Sequence, residues 1–201
     1  PFGLPYKNEE LESQPHDMAK AEEHFKKALG GAVWENGFKL DLLYNEGNDV
    51  RRAVNMMLAE NVMKLNPKFQ ISVRAVEWSE YVDMIRKSNM PIFNVGWAPD
   101  YPDPDNYAQP FMHSEGHYAH QCGYSNPEVD KLVEQAAISL DPEYRKEAYY
   151  RIQDIFLEDA VGIMYGQRLE RLYFRDWVEG FFFNPMSSHA DFEHIRYMTK
   201  K

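Results

Sequence analysis

One cysteine, Cys122, is the only thiol in this chain of 201 residues, so no internal disulfide can close and no thiolate cage for a metal can form. That leaves the redox compartment open. No apolar run reaches the roughly 18 residues of a membrane-spanning helix, and no basic-then-apolar leader opens the chain. Positive charge is also scarce, with 22 Lys and Arg against 32 Asp and Glu and a net charge of -10. This argues against nucleic acid as a partner, because its backbone demands clustered positive charge. Cationic or zwitterionic partners fit better. There is neither an internal repeat nor a low-complexity tract. Apolar residues are plentiful, at 44% of the chain with 14% aromatic, and suffice for a buried core. Opening on Pro1, the chain reads as processed or as a piece of something longer.

Residues 1–15 carry Pro1, Pro5 and Pro15 with little periodicity and read as an extended leading segment. Met18, Ala21, Phe25 and Ala28 or Leu29 then repeat at helical spacing up to Gly30 and Gly31. The pattern predicts a strand over 38–45, a helix over 49–65 capped by Asn48 or Asp49, and an alternating strand over 70–78. A short helix capped by Ser79 and an apolar strand over 91–98 follow. Strands alternating with helices call for a parallel pairing, since parallel neighbours need a crossover. Residues 111–126, rich in His, Gly and Ser, read as irregular. Asn126-Pro127 and Asp141-Pro142 each open a helix, with Val129, Leu132, Val133 and Ala136 on one apolar face and Ala148, Ile152, Ile155 and Phe156 on the other. Residues 161–174 read as a strand, and 177–185 as a further strand or edge segment. One compact α/β domain is favoured over two, with a mixed sheet flanked by helices.

The chemistry concentrates in residues 96–107, GWAPDYPDPDNY, where the predicted strand ends and ligands of open sheets gather. Asp103-Pro104-Asp105-Asn106 resembles the start of a calcium loop but lacks its turn glycine and closing glutamate. His113, His117, His120 and Cys122 fit no standard zinc spacing. No metal or cofactor is expected. Nor is catalysis, because the chain has no nucleophile elbow, phosphate-cradling glycine loop or His-Glu-x-x-His helix. The remaining reading is a binding loop stiffened by Pro99, Pro102 and Pro104 and walled by Trp97, Tyr101 and Tyr107, whose acid attracts an ammonium or guanidinium group. Beside it stand the blander roles: Trp97 as a core residue, Asp103 and Asp105 as turn and cap residues.

Taken in order, PHDMAKAEEHFKKALGG, DVRRAVNMMLAENVMKL, GWAPDYPDPDNY and YSNPEVDKLVEQA make the sequence resemble the peptide/nickel class of extracellular solute-binding proteins over nearly its whole length. The resemblance implies one lobe of a type II periplasmic-binding-protein fold, the C-terminal one spanning 1–201, with the N-terminal lobe lying outside this chain. It implies a monomeric, non-enzymatic component of an ABC importer that captures peptides in a cleft and delivers them to a membrane permease. Such a protein works in the periplasm or outside the cell, with a lipid anchor on the full-length form as one option. Asp100 matches the acid that holds a peptide's α-ammonium and Trp97 the aromatic of the same motif, with Tyr101 as a second wall and Tyr124 as a further contact. The sequence departs from dipeptide binders in having no base in YNEGND before Arg51, which leaves peptide length open. Arg51 and Arg52 themselves fall at the start of a predicted helix. A nickel chelate or an oligosaccharide is the alternative ligand, and a metal-dependent hydrolase the alternative class.

Overall fold

The computed structural model describes residues 4–12, 14–167, 171–182 and 197–201. Where the sequence favours one domain, the chain divides into two compact units, Ser13–Gly96 and Pro1–Glu12 with Trp97–Lys201.

In the first of these units, α1 (Met18–Lys27) starts where the Asp17 side chain accepts the Lys20 N–H. It ends in a 3-10 turn, Ala28–Gly31, with left-handed backbone at Leu29 and Gly30, and α2 (Ala32–Asn36) follows. Gly37 turns the chain into β1 at φ +71, and a Cβ there would collide with Lys68, so glycine is required. β1 (Phe38–Asn45), α3 (Asp49–Leu65) and β2 (Phe69–Val76) form the expected crossover, with the strands parallel and in register from Phe38 opposite Phe69 to Asn45 opposite Val76. Asn48 is the α3 cap and accepts the Arg51 N–H at 3.0 Å. The rings of Phe38 and Phe69 lie 4.7 Å apart, with Phe25 and Trp34 packed on Phe69.

Two expectations fail in this unit. α4 (Trp78–Arg86) is capped by Glu77, whose carboxylate accepts the N–H groups of Ser79 and Glu80, while the Ser79 hydroxyl donates to the same carboxylate instead of capping. Residues 91–98 form no strand. Both backbone groups of buried Asn94 bond to the Tyr81 hydroxyl, at 2.8 and 2.9 Å, so a side chain takes the place of a neighbouring strand.

The second unit is helical where the sequence reads irregular. α5 (Asp105–Met112) and α6 (His117–Cys122) occupy the stretch rich in Pro, His and Gly. Pro110 sits inside α5 at the cost of one backbone bond, an arrangement that local rules disfavour. Gly116 lies against the carbonyls of Gln109 and His113, where no Cβ would fit. α7 (Pro127–Ile138) and α8 (Pro142–Glu158) start as expected, with Asn126 accepting from Glu128 and Asp141 from Glu143. Val129, Val133 and Ala136 meet Ala148, Ile152 and Ile155 in the core, joined by Ala108 and Met112 of α5. At roughly 1.5–3 kcal/mol for each large aliphatic side chain buried, this face outweighs the weak propensities of α5. No strand forms over the described part of 161–174, where Ile163 and Met164 stay exposed, and 168–170 lie outside the described residues. Of 177–185, only β3 (Val178–Glu179) is a strand, paired antiparallel with β4 (Thr199–Lys200), and 183–185 lie outside the described residues.

Candidate ligand-binding site

Three acids share the loop that runs from Trp97 into α5, and each has a different environment. Asp103 is neutralised: Nη2 of Arg145, on α8, lies 2.7 Å from both of its carboxylate oxygens, and its Oδ1 also accepts the Asp105 N–H at 2.9 Å. Asp105 opens α5, where the helix dipole favours negative charge, and accepts the Tyr101 hydroxyl at 3.0 Å. Asp103 thus has a turn role, whereas Asp105 is the first residue of α5 and makes no capping bond. Asp100 is exposed, and among the described residues no donor reaches its carboxylate.

The loop is nevertheless tied down. Oδ1 of buried Asn106 accepts both the Asp100 N–H and the Trp97 indole N–H, each at 3.0 Å. One amide oxygen thus pins both ends of the turn that presents Asp100. The Trp97 ring stands edge-on to Phe111 and Tyr118, each centroid 5.8 Å away, and the Tyr107 hydroxyl donates to the Trp97 carbonyl at 3.3 Å. With its N–H committed to Asn106, Trp97 offers a guest its ring alone. Asn106 and Arg145 were not singled out by sequence reasoning. Asn106 carries a local signal in its Asp-Pro-Asp-Asn context; Arg145 carries none, because its partner lies 42 residues away.

Tyr124 stands apart from the other candidates. It packs on the α7–α8 core and donates to Asp159 Oδ2 at 2.7 Å, and no hydrogen bond or ring contact joins it to Trp97, Asp100 or Tyr101 among the described residues. Asn126 donates to the same carboxylate oxygen at 3.0 Å, and the two bonds hold the Asp159 carboxyl below the usual range. Burial, with the Asp159 bond adding to it, pushes the Tyr124 hydroxyl up to about 12. Burial also raises Tyr149 to about 12.

An unfolded tyrosine ionises near pH ~10, so stability from these two groups is fully present below that pH and is lost as pH climbs toward the folded values. Chemical denaturation between about pH 9 and 12 is expected to show declining stability, with a shallower slope in Tyr124→Phe. An unchanged slope would remove Tyr124 from the alkaline limb.

Among the described residues no three His, Cys, Asp or Glu side chains converge on a metal position. Arg51, in the first turn of α3, donates to Asn45 Oδ1 at 2.8 Å and lies 5.7 Å from the rings of Trp78 and Tyr81. A concavity of about 400 Å³ beside α3, lined by Met56, Ala59, Met63, Ile71 and Val73, includes none of the four candidate residues.

Comparison with known proteins gives these features a family. Residues 1–119 match the signature of the bacterial extracellular solute-binding proteins, family 5 Middle. The chain belongs to this family. It is 26% identical over 155 residues to the oligopeptide-binding protein OppA of Bacillus subtilis (strain 168), a match covering 76% of this chain and 28% of that protein. With di/tripeptide-binding protein 4 of Pseudomonas aeruginosa (strain UCBPP-PA14) it shares 26% over 187 residues, or 90% and 34% of the two chains. The chain therefore spans 28% and 34% of the lengths of these relatives. Among solved structures, a peptide-binding protein of a peptide ABC transporter superimposes with a TM-score of 0.61 at 25% identity, over 72% of this chain and 63% of that one. DppA from Helicobacter pylori, solved with the peptide STSA, gives 0.66 at 22% identity, over 80% and 31%. These likenesses establish the type II periplasmic binding fold, of which this family 5 chain holds a part. Its relatives are named as binding proteins, several of them periplasmic, and none of these names describes an enzyme.

Proposed function

We propose that this chain is the C-terminal lobe of the peptide-binding component of an ABC importer, and that Asp100 receives the α-ammonium group of the bound peptide. The observation that carries the reading is the division of labour among the loop acids. Asp103 and Asp105 have partners within the chain, whereas the Asp100 carboxylate has none among the described residues, on a turn already pinned through Asn106. A fixed, uncompensated carboxylate suits a cationic guest, because little freedom is lost when the guest arrives. The rings of Trp97 and Tyr101 add contact area that demands no particular side chain, which fits a carrier of peptides of varied sequence. Tyr124 serves this site as support for the α6–α7 turn. A second lobe closes over the loop by rigid-body motion and dries the ion pair. The protein acts outside the cytoplasm as a monomer and hands its ligand to the membrane permease without chemical change.

Calorimetry on the two-lobed protein, comparing short peptides that have free and N-acetylated termini, tests the reading. Free peptides are expected to bind at least about tenfold more tightly, a difference of ~1.4 kcal/mol. Equal affinities would overturn the assignment of Asp100.

A further inference from the structure

We infer that Arg145 is a positioning residue for the ligand loop, acting through Asp103, and that the leading segment around Tyr6 belongs to the same brace; this rests on the assignment of Asp100 as the ammonium acceptor. A single nitrogen, Nη2, makes both contacts to the Asp103 carboxylate. The guanidinium carbon lies 5.7 Å from the Tyr6 ring and 5.5 Å from the Tyr149 ring, and those rings stack on each other at 6.0 Å. Tyr6 is fastened in turn by Gln153 of α8, whose Nε2 donates to the Tyr6 carbonyl at 3.0 Å while its Oε1 accepts the Asn8 N–H at 3.1 Å. A continuous chain of contacts therefore runs from residues 6–8 through α8 to Asp103.

From Asp103 it reaches the presenting turn, because the Asp103 carbonyl accepts the Asn106 N–H at 3.1 Å and Asn106 holds Trp97 and Asp100. The Asp103–Arg145 pair is partly shielded, with side-chain exposures of 29% and 20%, so solvent weakens it less than it weakens the surface pairs of this chain. Arg145 Nε is buried without a hydrogen-bond partner. Leaving that donor unmet is a cost that an apolar residue would avoid. The arrangement is intelligible if the grip on Asp103 is what the position requires.

The test is run first without ligand. In the 201-residue chain, hydrogen exchange of the Trp97 indole N–H, measured by NMR against that of Trp34, reports whether Asn106 still holds the turn. Arg145→Met is expected to speed Trp97 exchange at least about tenfold relative to Trp34, with Arg145→Lys restoring most of the protection because one nitrogen makes both contacts. Asp103→Asn removes the charge from the other side and is expected to reproduce the effect, so it carries the test should Arg145→Met not fold. In the two-lobed protein, Arg145→Met is further expected to shrink the affinity ratio of free to acetylated peptide, which loss of folded protein alone leaves unchanged. Unchanged Trp97 exchange in a folded variant overturns the brace, and so does an unchanged ratio. A parent protein that never distinguishes the two peptides overturns the Asp100 assignment instead, and the exchange result still decides the brace.

Discussion

Asp100→Asn, made in the two-lobed protein, is expected to weaken binding of short peptides that have free amino termini by about two to four orders of magnitude. Removing one member of a desolvated ion pair costs ~3–5 kcal/mol, much of it because the remaining charge is left unpaired. Asp100 is exposed in this chain, so an effect of that size requires the second lobe to exclude water once the peptide is bound. The neighbouring acids provide the contrast. Asp105→Asn keeps an oxygen that can accept from Tyr101 and removes a charge directed at the α5 terminus, so peptide affinity should change by less than about tenfold. Calorimetric dissociation constants for both variants check this directly. If the two losses are equal, the loop acts through its summed charge and not through one carboxylate.

The second large effect is one of stability and needs no ligand. Asn55 is 2% exposed; its Nδ2 donates to the Leu43 carbonyl at 3.0 Å, and its Oδ1 accepts from Asn94 Nδ2 at 2.7 Å. Asn94 is bound in turn to the Tyr81 hydroxyl, so this buried network fastens 91–96 to α3, α4 and β1. Asn55→Leu keeps the branched, four-heavy-atom shape and strands polar groups on both sides. With an unmet buried group costing ~1–3 kcal/mol, the expected loss is about 2–4 kcal/mol. Native-state hydrogen exchange on the amides of β1 and β2 should register it as a lower opening free energy. A loss under ~1 kcal/mol would mean that the network relaxes around the substitution.

Short-range chemistry was legible, and its limits are instructive. Asn126-Pro127 and Asp141-Pro142 start helices because a side-chain oxygen and a preset φ act within three residues. The crossover from β1 through α3 to β2 was legible because its apolar spacing switches cleanly between periods of two and 3.6. Residues 91–98 have the composition of a strand, yet the partner that satisfies Asn94 is a tyrosine hydroxyl, which no pattern of apolar residues announces. α5 was missed for the opposite reason: Pro110 argues against a helix locally, and burial of Ala108 and Met112 against α7 and α8 overrides it.

The loop of residues 96–107 divides along the same line. Its stiffness, its aromatic content and its excess of carboxylates follow from twelve consecutive residues, since proline ring closure and side-chain ionisation are properties of each residue and its immediate neighbours. Which acid is left without a partner among the described residues does not follow from them. The charge of Asp103 is balanced because α8 delivers Arg145 to it across 42 residues of chain, and Asp100 is left without a partner among the described residues because folding delivers no cation there. Electrostatic pairing acts through distance in space, and folding alone sets that distance.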